Sequence, residues 1–110
     1  MYPVLAADAR EHLGEVKFVI GRVCSINQVR GGNVLVQLGD SHQTNFAAVF
    51  TRKAYADVLE EHGGIKLGDY ISVYGEIDFY GNCPHMTIDM AANVRTETDA
   101  SEIDEGGSSP

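Results

Sequence analysis

Alternating apolar and polar residues predict strands along most of this chain. Residues 34–38 alternate cleanly, while residues 16–26 have apolar side chains on both faces. Clean alternation is typical of a strand with one buried face, and apolar residues on both faces indicate a strand that is covered on each side. A third strand is predicted over residues 44–50, and two closing strands over residues 70–79 and 85–94. The pattern therefore predicts five strands.

Two segments with apolar residues three to four positions apart are predicted to be helical. The first covers residues 3–13 and ends before Gly14, a residue suited to a left-handed cap. The second covers residues 52–62, follows Thr51 as a typical N-cap residue, and ends at Gly63. The predicted inward stripe of this second helix consists of Tyr55, Val58, Leu59 and His62.

The predicted order is helix, three strands, helix, two strands. Gly21 and Gly75 lie inside strands, where a chain that turns a barrel corner needs a residue without a Cβ atom. A helix between the third and fourth strands is the connectivity of the five-stranded oligonucleotide/oligosaccharide-binding barrel, the OB-fold. We therefore predict an all-β fold with short helices: a five-stranded OB-fold barrel, an N-terminal helix, and a helix between strands 3 and 4.

The charge distribution divides the chain into a body and an acidic end. Residues 1–95 hold eleven acidic and eight basic side chains, whereas residues 96–110 hold five acidic side chains and no basic one. The end is also too poor in apolar residues to order itself. We expect an OB-fold domain over residues 1–95 and a disordered acidic C-terminal tail over residues 96–110. The tail is an inert solubilising end, a competitor of nucleic acid for basic groups, or a recruiter of a basic protein.

The sequence lacks the features of export and of membrane insertion. No apolar run approaches the roughly 20 residues needed to span a bilayer. The N-terminus lacks the basic and apolar stretches of a secretory signal. We therefore expect a cytoplasmic protein with no membrane partner, in which Cys24 and Cys83 are reduced, packed thiols rather than a disulfide.

Catalytic and metal-binding patterns are weak. Asp40, Ser41 and His42 are adjacent, whereas the partners of a catalytic relay converge from distant segments. Histidine and cysteine follow neither the His-x-x-x-His nor the Cys-x-x-Cys spacing, so no metal or other cofactor is predicted. The remaining candidate for a reactive centre is the thiol–imidazole pair of Cys83 and His85. We expect a protein that is not an enzyme.

Four segments resemble the bacterial anticodon-binding-like OB-fold domains: residues 9–23, 33–40, 44–50 and 68–84. The likeness lies in the spacing of glycines and apolar positions, so it specifies the fold better than the ligand. It implies a nucleic-acid-binding protein. The chain departs from the family pattern in its last turn, Gly81-Asn-Cys-Pro84, which is one residue longer than usual. Cys83 also stands where relatives often carry arginine or lysine.

The ligand of an OB-fold lies across the outer face of strands two and three, between the loops that join strands one to two and four to five. Aromatic faces stack on bases, and cations follow the backbone. Arg52 and Lys53 begin a helix whose positive dipole end disfavours cations, so phosphate contact is one reason to retain them. The predicted nucleic-acid-binding residues are Lys17, Arg22, Arg30, Asn33, Leu35, Gln37, Asn45, Arg52, Lys53, Tyr80 and Asn82.

The leading hypothesis is a non-enzymatic OB-fold protein that binds single-stranded DNA or RNA with low sequence specificity. Such a protein would be an accessory to replication or repair, or phage-borne. The alternative is a protein–protein interaction module whose barrel groove receives a peptide, and a third hypothesis is a small-molecule or oligosaccharide binder. The charge of the groove discriminates between the first two, because a positive groove favours nucleic acid and a neutral or acidic one favours a protein.

Overall fold

The computed structural model describes residues 3–39, 46–80 and 83–96, with the backbone alone at residue 80. Within these ranges, the strands are β1 (Val4–Leu5), β2 (Val16–Gln28), β3 (Val34–Leu38), β4 (Phe46–Phe50), β5 (Tyr70–Glu76), β6 (Asp78–Tyr80), β7 (Cys83–Ile88) and β8 (Val94–Thr96). One α-helix, α1 (Arg52–His62), lies between β4 and β5. Short 3-10 helices cover Ala6–His12, Arg30–Gly32 and Ala91–Asn93.

The long strand β2 joins the two halves of the sheet. Its first half pairs antiparallel with β5, and its second half pairs antiparallel with β3. A register shift between Val23 and Ser25 marks the place where the strand passes from one half to the other. The strand order is β6-β7-β4-β3-β2-β5-β8, with β1 parallel to β2.

Two glycines allow the sheet to turn back on itself. A Cβ atom on Gly21 would lie 2.9 Å from the Cβ of Ala6 and 3.1 Å from the Cβ of Leu38. A Cβ atom on Gly75 would lie 3.1 Å from the Cγ of Met86, a residue of β7. In the described residues, side-chain packing of this kind brings β5 and β7 together, and no backbone ladder joins them.

The prediction of a mostly β fold with short helices is confirmed, but in the described part of the chain the sheet has eight strands and its ladder is open. The predicted strand over residues 70–79 is divided at Ile77, which leaves the ladder. The Ile77 amide donates to the Glu15 carbonyl, and the Ile77 carbonyl accepts from the Gly14 amide. The predicted strand over residues 85–94 is divided as well, because β8 separates from β7 and pairs with β5.

The predicted N-terminal helix is a short strand followed by a 3-10 helix. The buried positions of this segment are Ala6 and Ala9, which lie three residues apart. That spacing matches the three residues per turn of a 3-10 helix. Leu5 and Leu13, which lie four residues before and four residues after Ala9, are exposed.

The helix α1 begins and ends where the sequence predicts. The hydroxyl of Thr51 accepts a first-turn amide hydrogen bond at 3.2 Å, and Gly63 ends the helix with a left-handed φ of 77°. Val58 is buried, and the ring of Tyr55 packs edge-on against Phe50 with 5.8 Å between centroids. The predicted stripe is wrong at Leu59, which is 51% exposed.

The core lies between the two halves of the sheet and under α1. Its large side chains come from the inward positions of the strands, which alternate with the outward positions that form the surfaces described below. The largest fully buried side chains include Phe46, Phe50, Leu38, Ile71, Ile77, Met86 and Ile88. This core fixes the strands on which the candidate site is built.

Candidate nucleic-acid interface

The outward residues of β3, β4 and β7 form a groove. Register places Leu35 opposite Val49 and Gln37 opposite Ala47, and parallel pairing with β4 adds alternate residues of β7. We call this surface the β3–β4–β7 groove. Its cavity has a volume of about 410 Å³ and is lined by Leu35, Gln37, Ala47, Val49, Cys83, His85 and Thr87.

The groove is concave because its central position is a small residue. Ala47 is 8% exposed and lies between Gln37 on β3 and His85 on β7. Larger side chains on both sides rise above this methyl group. Among the described lining residues, none is a lysine or an arginine. The groove therefore offers an uncharged, mainly apolar floor with a few hydrogen-bonding groups.

The thiol of Cys83 contributes to the groove as a neutral group. It donates a hydrogen bond to the carbonyl oxygen of Pro84 at 3.4 Å. Burial raises the pKa of the Cys83 thiol, and the charge of Arg10 acts against that rise. A raised pKa keeps the thiol protonated at neutral pH, which makes it a poor nucleophile. Cys83 and Cys24 are both half-buried, unbridged cysteines.

The structure brings only part of the predicted site into the groove. Leu35 and Gln37 line it directly. The backbone of Tyr80 pairs with Cys83 at the edge of the groove, and the Tyr80 side chain lies outside the description. Asn45 and Asn82 lie outside the described residues.

Three predicted cations lie beyond one end of the groove, where β3 begins and β4 finishes. The Arg52 side chain packs over the loop after β2, with its Cδ 3.0 Å from the position that a Cβ atom on Gly32 would occupy. Arg30 lies in that loop and is exposed. The ammonium group of Lys53 lies 3.3 Å from a carboxylate oxygen of Asp57, and the Lys53 side chain is 86% exposed. We call Arg30, Arg52 and Lys53 the basic end.

Asn33 has a structural partner at the same place. Its side-chain oxygen accepts a hydrogen bond from the backbone amide of Arg52 at 3.1 Å. The first amides of a helix have no intrahelical acceptor, so this contact complements the cap made by Thr51. Asn33 therefore ties the loop after β2 to the start of α1.

Replacing Asn33 by alanine is expected to lower the free energy of unfolding by about 0.5–2 kcal/mol, the usual effect of losing a helix cap. Urea denaturation would measure it. Asn27→Ala is the matched control, because Asn27 is exposed on β2 and donates only to the Ser25 hydroxyl among the described contacts. Equal stability of the Asn33→Ala variant and the wild type would contradict the capping role.

Lys17 and Arg22 lie outside the groove, on the half of the sheet formed by β2 and β5. The Lys17 ammonium is 3.6 Å from a carboxylate oxygen of Glu15. A hydrogen bond from His12 and, to a smaller extent, the charge of Lys17 lower the pKa of Glu15. The Arg22 guanidinium lies 4.6 Å from the centroid of the Tyr70 ring. These two cations are therefore engaged with residues of their own half of the sheet.

The predicted nucleic-acid-binding residues did not include five lining residues: Ala47, Val49, Cys83, His85 and Thr87. Three of them come from β7, whose parallel pairing with β4 has no local signal in the sequence. The alternation along residues 83–88 could have indicated which side of β7 faces outward. It could not have indicated which strand lies next to it.

The described ranges contain neither a metal-binding cluster nor a membrane-spanning helix. There, no three histidine, cysteine, aspartate or glutamate side chains lie close enough together to hold a metal ion. Nor does any helix in those ranges have the length and apolar character needed to cross a bilayer.

The fold is similar to that of several solved structures. An asparaginyl-tRNA synthetase from Entamoeba histolytica, in complex with asparaginyl-adenylate, gives a TM-score of 0.61 at 14% identity over 86% of this chain and 23% of that chain. The S. pombe Stn1–Ten1 complex gives 0.56 at 13% identity over 77% of this chain and 60% of that chain. A replication factor A related protein from Methanobacterium thermoautotrophicum gives 0.52 at 20% identity over 80% and 86%.

These structures contain OB-folds, and the likeness shows that this chain has the same fold. The chain spans less than a quarter of the length of the synthetase. No protein-family model matches the sequence, and no curated protein matches it.

Proposed function

We propose that this chain is a non-enzymatic OB-fold protein that binds single-stranded nucleic acid, with low sequence specificity, across the β3–β4–β7 groove. The observation that carries the proposal is the position of the groove. It lies on the outer face of β3 and β4, the second and third long strands, where OB-folds hold their ligands. Likeness to a tRNA synthetase and to a replication factor A related protein supports the same class of ligand.

In this proposal, the groove binds the bases of the strand and the basic end binds its phosphates. Leu35, Ala47 and Val49 give an apolar floor against which unstacked bases pack, while the basic end attracts the phosphates of the same strand. Gln37 and Thr87 supply side-chain hydrogen bonds to base edges. A site with so few such groups discriminates weakly between bases.

The dependence of affinity on salt is expected to be shallow. Each phosphate neutralised on a single strand contributes a slope of about −0.7 to log K against log salt, so three cations give a slope no steeper than about −2. Fluorescence anisotropy of labelled oligo-dT and oligo-U, titrated at several salt concentrations, would measure this slope. The double variant Arg30→Gln, Arg52→Gln is expected to flatten the slope by about 1.4.

The matched control for that double variant is Lys66→Gln, because Lys66 is exposed and lies outside both the groove and the basic end. It is expected to leave the slope unchanged. Absence of binding at low salt, in the full chain and in a chain ending at Thr96, would contradict the proposed function.

A second candidate function is a protein-interaction module that receives an apolar peptide in the groove. The uncharged lining favours it, because a neutral groove gives phosphates no direct contact. The OB-fold neighbour Stn1–Ten1 is itself a complex. The two candidates differ in how they respond to charge placed in the groove.

The proposal also includes the type of OB-fold domain, the cellular role and the absence of catalytic activity. The four segments that resemble bacterial anticodon-binding-like domains support membership of that type and a cytoplasmic accessory role in replication, in repair or in a phage. The raised pKa of the Cys83 thiol disfavours a nucleophilic role for the Cys83 and His85 pair.

A further inference from the structure

A second surface lies on the other half of the sheet, outside the groove. Its outward positions, paired in register, are Phe18, Ile20 and Arg22 on β2 and Tyr74, Ser72 and Tyr70 on β5. Leu5, which pairs with Ile20 and is 59% exposed, extends this surface onto β1. We call it the β2–β5 face. A hollow of about 200 Å³ opens in it beside Leu5, Ile20, Arg22 and Tyr70.

The aromatic rings of this face are already engaged with side chains of the same face. The Phe18 and Tyr74 rings pack with 4.6 Å between centroids. The Arg22 guanidinium covers the Tyr70 ring and donates to the Gly68 carbonyl at 3.3 Å and the Tyr70 hydroxyl at 3.4 Å. Arg22 is therefore held in place and exposed, which suits a carboxylate partner better than a stacked base.

The described chain ends beside this surface. β8 pairs antiparallel with β5, so that Arg95 lies opposite Ser72 and Thr96 lies opposite Ile71. The next position along β5 is Tyr70, which pairs with Arg22. Arg95 is exposed and adds a second guanidinium to the β2–β5 face. Any residue that follows Thr96 therefore starts next to two arginines.

The sequence after Thr96 has the complementary chemistry. Residues 97–110 hold five carboxylates and no basic side chain, and the single large apolar residue, Ile103, stands between Glu102 and Asp104. We propose that the β2–β5 face is the docking site of this acidic segment within the same chain. Ile103 occupies the hollow beside Leu5 and Ile20, and the carboxylates of the segment lie close to the guanidinium groups of Arg22 and Arg95.

The reach of the segment is sufficient. Ile103 is seven positions after Thr96, and an extended chain covers about 3.3 Å per position, or about 23 Å in all. Neighbouring strands are only about 4.8 Å apart, so the hollow beside Tyr70 lies within this distance of the end of β8. The proposal does not depend on the ligand of the groove, which lies on the other half of the sheet.

The experiment is amide NMR on the full chain at about 50 mM and about 500 mM NaCl, conditions between which exposed charge pairs become largely screened. At low salt, we expect the amides of Tyr70 and Ser72, which are distant in sequence from the substituted positions, to differ in chemical shift from those of the variant Glu102→Gln, Asp104→Asn. At high salt, this difference should be lost. At low salt, Ile103→Ser should shift the Tyr70 and Ser72 amides in the same way as the double substitution of the carboxylates. These variants leave the sheet itself unaltered.

The complementary variant is Arg22→Gln with Arg95→Gln. At low salt, it is expected to change the chemical shifts of the amides of residues 99–105. Arg30→Gln with Arg52→Gln is the matched control and is expected to leave those amides unchanged. Identical tail amides in the wild type and the Arg22, Arg95 variant, at both salt concentrations, would overturn the proposal.

Two other results would also overturn it. Shift differences that grow with protein concentration would place a second copy's segment on the face instead. Shifts of Tyr70 and Ser72 on addition of oligo-dT, with residues 99–105 unaffected by the Arg22, Arg95 variant, would assign the face to nucleic acid.

Discussion

Replacing Phe50 by alanine is expected to lower the free energy of unfolding by about 3–5 kcal/mol, the usual effect of truncating a buried phenylalanine. Phe50 is fully buried at the end of β4, between Val34 on β3 and Ile88 on β7. Its ring also packs against Tyr55, so its loss removes an aromatic contact between α1 and the sheet. The expected loss is a large share of the roughly 5–15 kcal/mol that stabilises a typical domain. Urea denaturation would measure it.

Phe79 provides the matched control for that substitution. It is the same residue type in the same sheet, but it is 51% exposed on β6. Phe79→Ala is expected to change the free energy of unfolding by no more than about 0.5 kcal/mol. Similar losses in the two variants would mean that Phe50 does not hold β4 against its neighbours as described.

Opposite charges placed at Val49 are expected to change oligonucleotide affinity in opposite directions. Val49 lines the groove between Leu35 on β3 and Thr87 on β7, and it is half-buried. Val49→Lys is expected to raise the affinity for oligo-dT about eightfold at 50 mM salt, and Val49→Glu is expected to lower it. The magnitude follows from a slope of about −0.7 for each additional phosphate contact.

The two variants differ only in the sign of the added charge, so each is the control of the other. Anisotropy titrations would measure both, and denaturation would check that both variants remain folded. A loss of oligonucleotide affinity in both variants would contradict the expected dependence of affinity on the sign of the added charge. If oligonucleotides do not bind and an apolar peptide does, weaker peptide binding by both variants would favour the protein-interaction module.

Elements that depend on neighbouring residues could be predicted from the sequence. The helix α1 is fixed by Thr51 before it and Gly63 after it, which are signals within a few positions of the ends. The strand β3 follows from the alternation of Val34, Val36 and Leu38, all of which are buried. Leu35 and Gln37 could be placed on the binding side for the same reason.

Features that depend on distant partners could not be predicted in this way. Ile77 interrupts a strand because its backbone bonds to Gly14 and Glu15, more than sixty positions earlier in the chain. Residues of β7 line the groove because β7 pairs parallel with β4. Arg22 lies outside the groove because the first half of β2 pairs with β5 and not with β3. In each case, the local pattern of residues predicts the strand, whereas the strand with which it pairs is determined by the tertiary fold.

The use of β2 by both halves of the sheet has a consequence for the kinetics of folding. Val16 pairs with Glu76, 60 positions later in the chain, so a long loop must close before the first half of β2 gains its partner. Domains dominated by such distant pairings fold in milliseconds to seconds rather than in microseconds. The hairpin of β2 and β3 closes over a short loop and can form early, whereas the β2–β5 pairing is the slow, entropy-limited step that completes the native state.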